Sequence, residues 1–262
     1  MLTLRKRTTV MSVSRIALIT GATQGIGKET SLLLARTGHA VVVSGRRKDA
    51  GEAVVDEIRA NGGEADFIAV DVDSEESVAA LVAATVERYG RLDVAVNNAG
   101  ISLDAGRMAD EPTSRFQRML TTNVLGVFWS MKYQIQQMLA QDNPGGSIVN
   151  LASIAGLSGI RYAANYSATK HAVVGLTKSA ALEYATDNIR INAVAPAAIK
   201  TDILNAAIEA GTWDEAGIAA LQPVNRMGQP TEVAEAITWL ASPAASFVTG
   251  TVLSVDGGYK AQ

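Results

Sequence analysis

The residues best suited to chemistry are a tyrosine and a lysine four positions apart, in Tyr166-Ser167-Ala168-Thr169-Lys170. On a helix that spacing puts both on one face. A free phenol, with a pKa near ~10, is a poor base at neutral pH. A close ammonium favours the phenolate and lowers that pKa. The pair is then a proton-transfer group workable near neutrality. Ser153 lies 13 residues earlier, where its hydroxyl can hydrogen-bond an oxygen on which charge develops. A tyrosine and a lysine on an ordinary surface helix would give the same pattern, so the weight falls on what accompanies them.

Four further groups do. Thr20-Gly21-Ala22-Thr23-Gln24-Gly25-Ile26-Gly27 leaves an apolar run and opens an amphipathic one. Gly21 permits a tight turn, Gly25 a close backbone approach to a phosphate, and Gly27 close packing of the following helix, whose free N–H groups attract a pyrophosphate. An ordinary glycine turn is the competing reading. In Ser44-Gly45-Arg46-Arg47, glycine occupies the place where an acid would bind the ribose 2′-hydroxyl of NAD, and Arg46 follows. A guanidinium grips a 2′-phosphate, which favours NADP(H) and leaves NAD(H) possible. Asp71-Val72 offers a carboxylate to an adenine amino group, although Asp71 and Asp73 equally suit a helix cap. Asn98-Ala99-Gly100 after Asn97 suits a tight turn against a cofactor ribose, and also a plain turn.

These groups need a frame. Strand-length apolar runs at Arg15–Thr20, Ala40–Ser44, Ala65–Val70, Leu92–Val96, Ser147–Leu151, Ile189–Val194 and Val252–Val255 alternate with helical stretches. The helices are expected at Gly27–Thr37, Asp49–Asn61, Ser74–Tyr89, about Ser114–Leu139 and about Ala164–Thr186, with two more between Thr201 and Leu240. Continuous Val/Ile/Leu strands are buried on both faces. The alternation predicts an α/β fold: a Rossmann-type, doubly wound parallel sheet of about seven strands with helices on both faces. Gly21, Arg46, Asp71, Asn98 and Ser153 then all follow the C-terminal ends of strands, the edge where such sheets bind ligands.

Composition narrows the classes. Of 262 residues, 48% are hydrophobic and 19% charged, with a net charge of −3, which argues against a nucleic-acid partner. No cysteine and only two histidines argue against a zinc site, and absent disulfides suit a cytoplasmic location. His39 and His171 read as structural. No run reaches membrane-spanning length. Residues 1–14 read as a flexible N-terminal extension, and 15–262 as one dinucleotide-binding catalytic domain with no linker.

The motifs TGATQGIG, NNAG, the serine of NLAS, YSATK and NAVAP, in this order, resemble the short-chain dehydrogenase/reductase superfamily, in particular its short single-domain branch of ketone reductases and 3-oxoacyl carrier-protein reductases. The resemblance implies further roles. Asn123, in TTNVLG, would hold a water in a proton relay to Lys170; a mid-helix amide bonding the backbone and bending the helix is the alternative. Lys170 would also bind the nicotinamide ribose. Thr23, Gln24 and Ile26 would line the pyrophosphate turn, and Pro196, Ile199 and Thr201 would hold the nicotinamide carboxamide. The family's glycine after that proline is Ala197 here, which restricts positive φ. About 201–223, with Ile203, Leu204, Trp213, Ile218 and Leu221, would be a substrate lid or an amphipathic helix pair. A homo-oligomer, tetramer or dimer, would form on the two long helices.

The implied reaction interconverts a ketone and a secondary alcohol: Ser153 and Tyr166 bond the substrate oxygen, Tyr166 gives its proton, and Lys170 and Asn123 reload it. Small carbonyl or alcohol substrates of moderate hydrophobicity are expected from Ile154, Ala155, Leu157 and Tyr162. The alternatives are an NAD-dependent alcohol dehydrogenase and a non-enzymatic dinucleotide sensor, which would not need Ser153, Tyr166 and Lys170 in register.

Overall fold

The computed structural model describes residues 15–201, 204, 208 and 214–261. The expected extension over residues 1–14, and Ile203 and Trp213 of the expected lid, lie outside the described residues. Seven parallel strands form one sheet in the order β3-β2-β1-β4-β5-β6-β7. They are β1 Ile16–Thr20, β2 Ala40–Gly45, β3 Glu64–Ala69, β4 Val94–Asn97, β5 Gly146–Leu151, β6 Ile189–Pro196 and β7 Val252–Val255. Between them run α1 Gly25–Arg36, α2 Lys48–Ala60, α3 Glu75–Tyr89, α4 Thr113–Leu120, α5 Gly126–Ala140, α6 Ala164–Tyr184, α7 Glu215–Ala220 and α8 Pro230–Ala241.

The alternation of side chains along each strand sorts the core into two layers. Ala17, Ile19, Val41, Val43, Val94 and Val96 meet α1, α2 and α8 on one face. Leu18, Val42, Ala95, Ile148 and Ile191 meet α3, α5 and α6 on the other. This is why the strands read as unbroken apolar runs. Helix ends follow local chemistry. Ser74 caps α3 by accepting from the Ser77 amide, and Gly90 ends it in the left-handed conformation. Asp71 is thus not a helix cap; its carboxylate accepts from the Asp73 amide in a turn.

The long helix expected over about Ser114–Leu139 is divided. A five-residue π-helical turn, Thr121–Leu125, separates α4 from α5. Asn123, wholly buried, sits inside it. Ala197 takes no positive φ, and its amide donates to the Val255 carbonyl at 3.2 Å, so alanine fits the turn after β6 without strain.

The chain order reverses direction across the sheet between β1 and β4. Their outgoing loops meet at the glycine-rich turn. A Cβ on Gly27 would stand 2.4 Å from the Gly21 carbonyl oxygen and 2.5 Å from Asn98 Nδ2. Gly27→Ala is therefore expected to destabilise the protein by about 1–3 kcal/mol through overpacking. A lower urea midpoint at unchanged slope would register it.

Candidate functional site

A cleft of about 550 Å³ opens at the C-terminal ends of β1 to β5, at the switch between β1 and β4. The glycine turn supplies one wall through Gly21, Thr23, Gln24, Gly25 and Ile26. Gly21 and Gly25 have φ of +63° and +53°, open to glycine at little cost. Helix α1 begins without a side-chain cap and without an acid in its first turn, so its leading N–H groups face the cleft unneutralised. Gly27 stands behind this wall as a packing residue rather than a lining one.

Arg46 and Arg47 line the end beyond β2, both exposed. Arg47 donates to Thr23 Oγ1 at 3.1 Å and also to Gln24 Oε1, while Arg46 lines the cleft beside it. Asp71 and Val72 close the same end, and Asn98, Ala99 and Gly100 form the floor. The floor is anchored. Asn98 Nδ2 donates to the carbonyls of Thr20 and Gly21 at 3.0 and 2.8 Å, and the amides of Asn98 and Ala99 donate to Thr20 Oγ1, each at 3.2 Å.

The reactive set lies at the inner end. Helix α6 presents Tyr166 to the cleft. Ser153 follows β5, with its hydroxyl bonded to the Tyr166 side chain and 3.5 Å from the Pro196 carbonyl. Lys170 is 3% exposed, its Nζ 5.6 Å from the Tyr166 ring centre. Nζ donates to the Leu151 carbonyl at 2.7 Å. Asn123 bonds the floor loop at both the amide and the carbonyl of Ile101: Oδ1 accepts from Ile101 N and Nδ2 donates to Ile101 O, each at 2.8 Å. Nδ2 also donates to Thr169 Oγ1 at 3.1 Å. A Cβ at Gly100 would lie 3.3 Å from Asn123 Oδ1 and 3.5 Å from Lys170 Nζ, so both face one spot beneath the floor.

Electrostatics differ from the simple expectation for a Tyr–Lys pair. Burial pushes the Tyr166 phenol up to about 12, and the Ser153 hydroxyl is the group that pulls it down. Burial lowers Lys170 to about 8. The reason is geometric: Nζ is held by the Leu151 carbonyl rather than by the phenol oxygen. At neutral pH the site thus holds a neutral phenol beside an ammonium that desolvation has made ready to give up its proton.

Thr201 lines the cleft, 3.4 Å from where a Cβ on Gly25 would be. Pro196 ends β6, buried. The Ile199 side chain is not part of the cleft lining. It is packed in the core, 6% exposed, because Ala198 to Lys200 pair with Gly228, so a ligand in the cleft could meet only its main chain. Sequence reasoning missed Thr20, whose hydroxyl anchors the floor, and the Arg118–Thr122 edge that also lines the cleft. Thr122 donates to Asp73 at 2.6 Å, bridging the π-helical turn to the loop after β3. The four-residue spacing of Arg118 and Thr122 was a usable signal only with the helix register in hand. Among the described residues, no group of three or more histidine, cysteine, aspartate or glutamate side chains could hold a metal. His39 bonds the Leu34 carbonyl and His171 the Ser167 carbonyl, both through Nδ1 and both outside the cleft lining.

Comparison with known proteins agrees with this geometry. A family profile described as enoyl-(acyl carrier protein) reductase matches residues 21–260. Cyclohexanol dehydrogenase of Acinetobacter sp. (strain SE19) is 45% identical over 94% of this chain and 95% of that protein. A 3-oxoacyl-[acyl-carrier-protein] reductase of Synechocystis sp. (strain ATCC 27184 / PCC 6803 / Kazusa) is 42% identical over 94% of this chain and 96% of that protein. The solved structure of ElxO with NADP bound superposes with a TM-score of 0.89 at 40% identity, covering 95% of this chain and all of that one. Matched by that family profile over residues 21–260 and by relatives along nearly its whole length, the chain belongs to the short-chain dehydrogenase/reductase superfamily.

Proposed function

We propose that the chain is an NADP(H)-dependent oxidoreductase that interconverts a ketone and a secondary alcohol, with carbonyl reduction as the working direction. The observation that carries this reading is the convergence of Ser153, Tyr166 and Lys170 at the inner end of a dinucleotide-sized cleft. The cradle suits the cofactor: uncapped α1 amides for the pyrophosphate, exposed Arg46 and Arg47 for a 2′-phosphate, and no carboxylate at Gly45 to repel it. Related solved structures hold NADP or NADPH. When bound, NADP(H) supplies the hydride that passes to the carbonyl carbon.

The protein's own residues do the rest. Ser153 and Tyr166 hold the substrate oxygen, and the neutral phenol donates its proton as charge develops there. The Lys170 ammonium stabilises the phenolate left behind, and Asn123, fixed in the π-helical turn, holds the relay that returns a proton. Asp71 and Val72 take the adenine, Asn98 to Gly100 and Lys170 the nicotinamide-side ribose, and Pro196, the Ile199 main chain and Thr201 the carboxamide. A sensor would need the cradle without the reactive set. Relatives acting on cyclohexanol and on 3-oxoacyl groups favour a moderately apolar carbonyl or alcohol substrate. We further propose one catalytic domain over 15–262 with the lid at about 201–223, a cytoplasmic location, and a homo-oligomer on α4 to α6. Exposed Leu120, Leu125 and Phe128, with Leu182 at 85% exposure, favour that interface.

Three measurements check the reading. Tyr166→Phe should lower kcat for ketone reduction at least roughly a hundredfold while NADPH still binds; retained turnover would remove Tyr166 from the mechanism. Arg46→Ser should raise KM for NADPH about tenfold and leave that for NADH little changed, the size of a lost charge-assisted hydrogen bond. Wild-type preference for NADH would instead make the chain an NAD-dependent dehydrogenase. The third is a pH profile of kcat/KM for NADPH, which reports groups in the free enzyme. Lys170 is protonated below its lowered pKa of about 8 and loses its charge above it, so reduction should decline on the alkaline side of pH 8. Lys170→Arg, charged throughout, should lack that limb.

A further inference from the structure

Helix α6 carries both Tyr166 and Lys170, yet it begins poorly. Its N-cap, Ala163, has no side-chain acceptor. The chain reaches it through Tyr162 at φ +63°, a conformation that costs a bulky residue of the order of 1–3 kcal/mol and persists only when its surroundings impose it. An N-cap side chain normally satisfies the amide two or three residues into the helix. Here the third helical residue is Tyr166 itself. Its amide donates to Asp104 Oδ2 at 2.8 Å, from 62 residues away.

Asp104 belongs to the loop that leaves β4, the same loop whose Asn98, Ala99 and Gly100 form the cleft floor and whose Ile101 is bonded on both sides by Asn123. We infer that Asp104 is a positioning residue for catalysis: a cap supplied in trans from the cofactor floor, which fixes the backbone of Tyr166 and so the place of its phenol. A carboxylate at a helix N-terminus is also favoured by the helix dipole. The floor loop is thereby tied to α6 twice, through Asn123 to Thr169 and through Asp104 to Tyr166.

The inference rests on Tyr166 being the proton donor. Four variants separate it from that reading, assayed with NADPH and a ketone well below each variant's thermal midpoint. Asp104→Ala should lower kcat roughly tenfold or more, the penalty of a misplaced catalytic group, with KM for NADPH little changed and a larger solvent isotope effect on kcat. Asp104→Asn keeps an acceptor oxygen in place and should restore most of the rate. Asp104→Glu keeps the charge but displaces the acceptor by one methylene, and should be impaired while folded even if Asp104→Ala does not fold. A wild-type kcat in Asp104→Ala or Asp104→Glu overturns the inference, and so does an Asp104→Asn no better than alanine, which would assign the effect to charge. Tyr166→Phe is the control: if it retains turnover, the proton-donor reading fails, whereas an inactive Tyr166→Phe beside a fully active Asp104→Ala sinks only the role of Asp104.

Discussion

One side-chain amide holds the cleft together. Asn98 reaches from the end of β4 to the carbonyls of Thr20 and Gly21 at the end of β1, across the point where the strand order reverses. Those carbonyls lie where the chain leaves the sheet and enters the glycine turn. Without Asn98 the turn would bury unsatisfied acceptors, each costing of the order of 1–3 kcal/mol. With it, the glycine turn and the floor become one rigid piece, and the absence of a side chain at Gly27 is what lets them approach. Everything downstream, from the pyrophosphate cradle to the seat of Lys170, is measured from that junction.

The inner end of the cleft works by the opposite device, which is leaving charges short of partners. Lys170 has a single carbonyl for its ammonium and almost no water. Desolvation makes the proton easier to release, and the same desolvation makes the Tyr166 phenolate harder to form. The two effects move the proton affinities of Tyr166 and Lys170 away from their solution values in opposite directions. A site of this kind depends on position more than on strong permanent bonds, since neither group is locked by an ion pair.

Much of this was legible in the sequence, and for identifiable reasons. Strands buried on both faces write themselves as Val/Ile/Leu runs, so all seven strands fell within a few residues of their observed ends. Glycines forced by positive φ or by close approach are the most readable residues of a ligand turn, and Gly21, Gly25 and Gly27 stand where the spacing puts them. Ser153, Tyr166 and Lys170 were recoverable because helix and strand-edge geometry bring them together. Interactions between distant loops were not. The burial of the Ile199 side chain comes from pairing with Gly228, and the anchoring by Thr20 from a meeting of two strand ends. The departure of the Lys170 ammonium toward Leu151 depends on a carbonyl, which every residue has and no sequence pattern reveals.

The π-helical turn at Thr121–Leu125 has a consequence for how such chains can change. A wider turn is equivalent to one residue inserted into an α-helix, and each residue of a helix turns its face by about 100°. The face of α4 that lines the cleft and the face of α5 that fills the core are thus offset by the insertion rather than continuous. Removing Thr121, which does not line the cleft, would straighten the helix without deleting any cleft-lining side chain. It would also swing one side of the helix away from the other, carrying Arg118 off the cleft or Val127 and Met131 off the core. In this segment the number of residues is itself under constraint, beside the identity of Asn123.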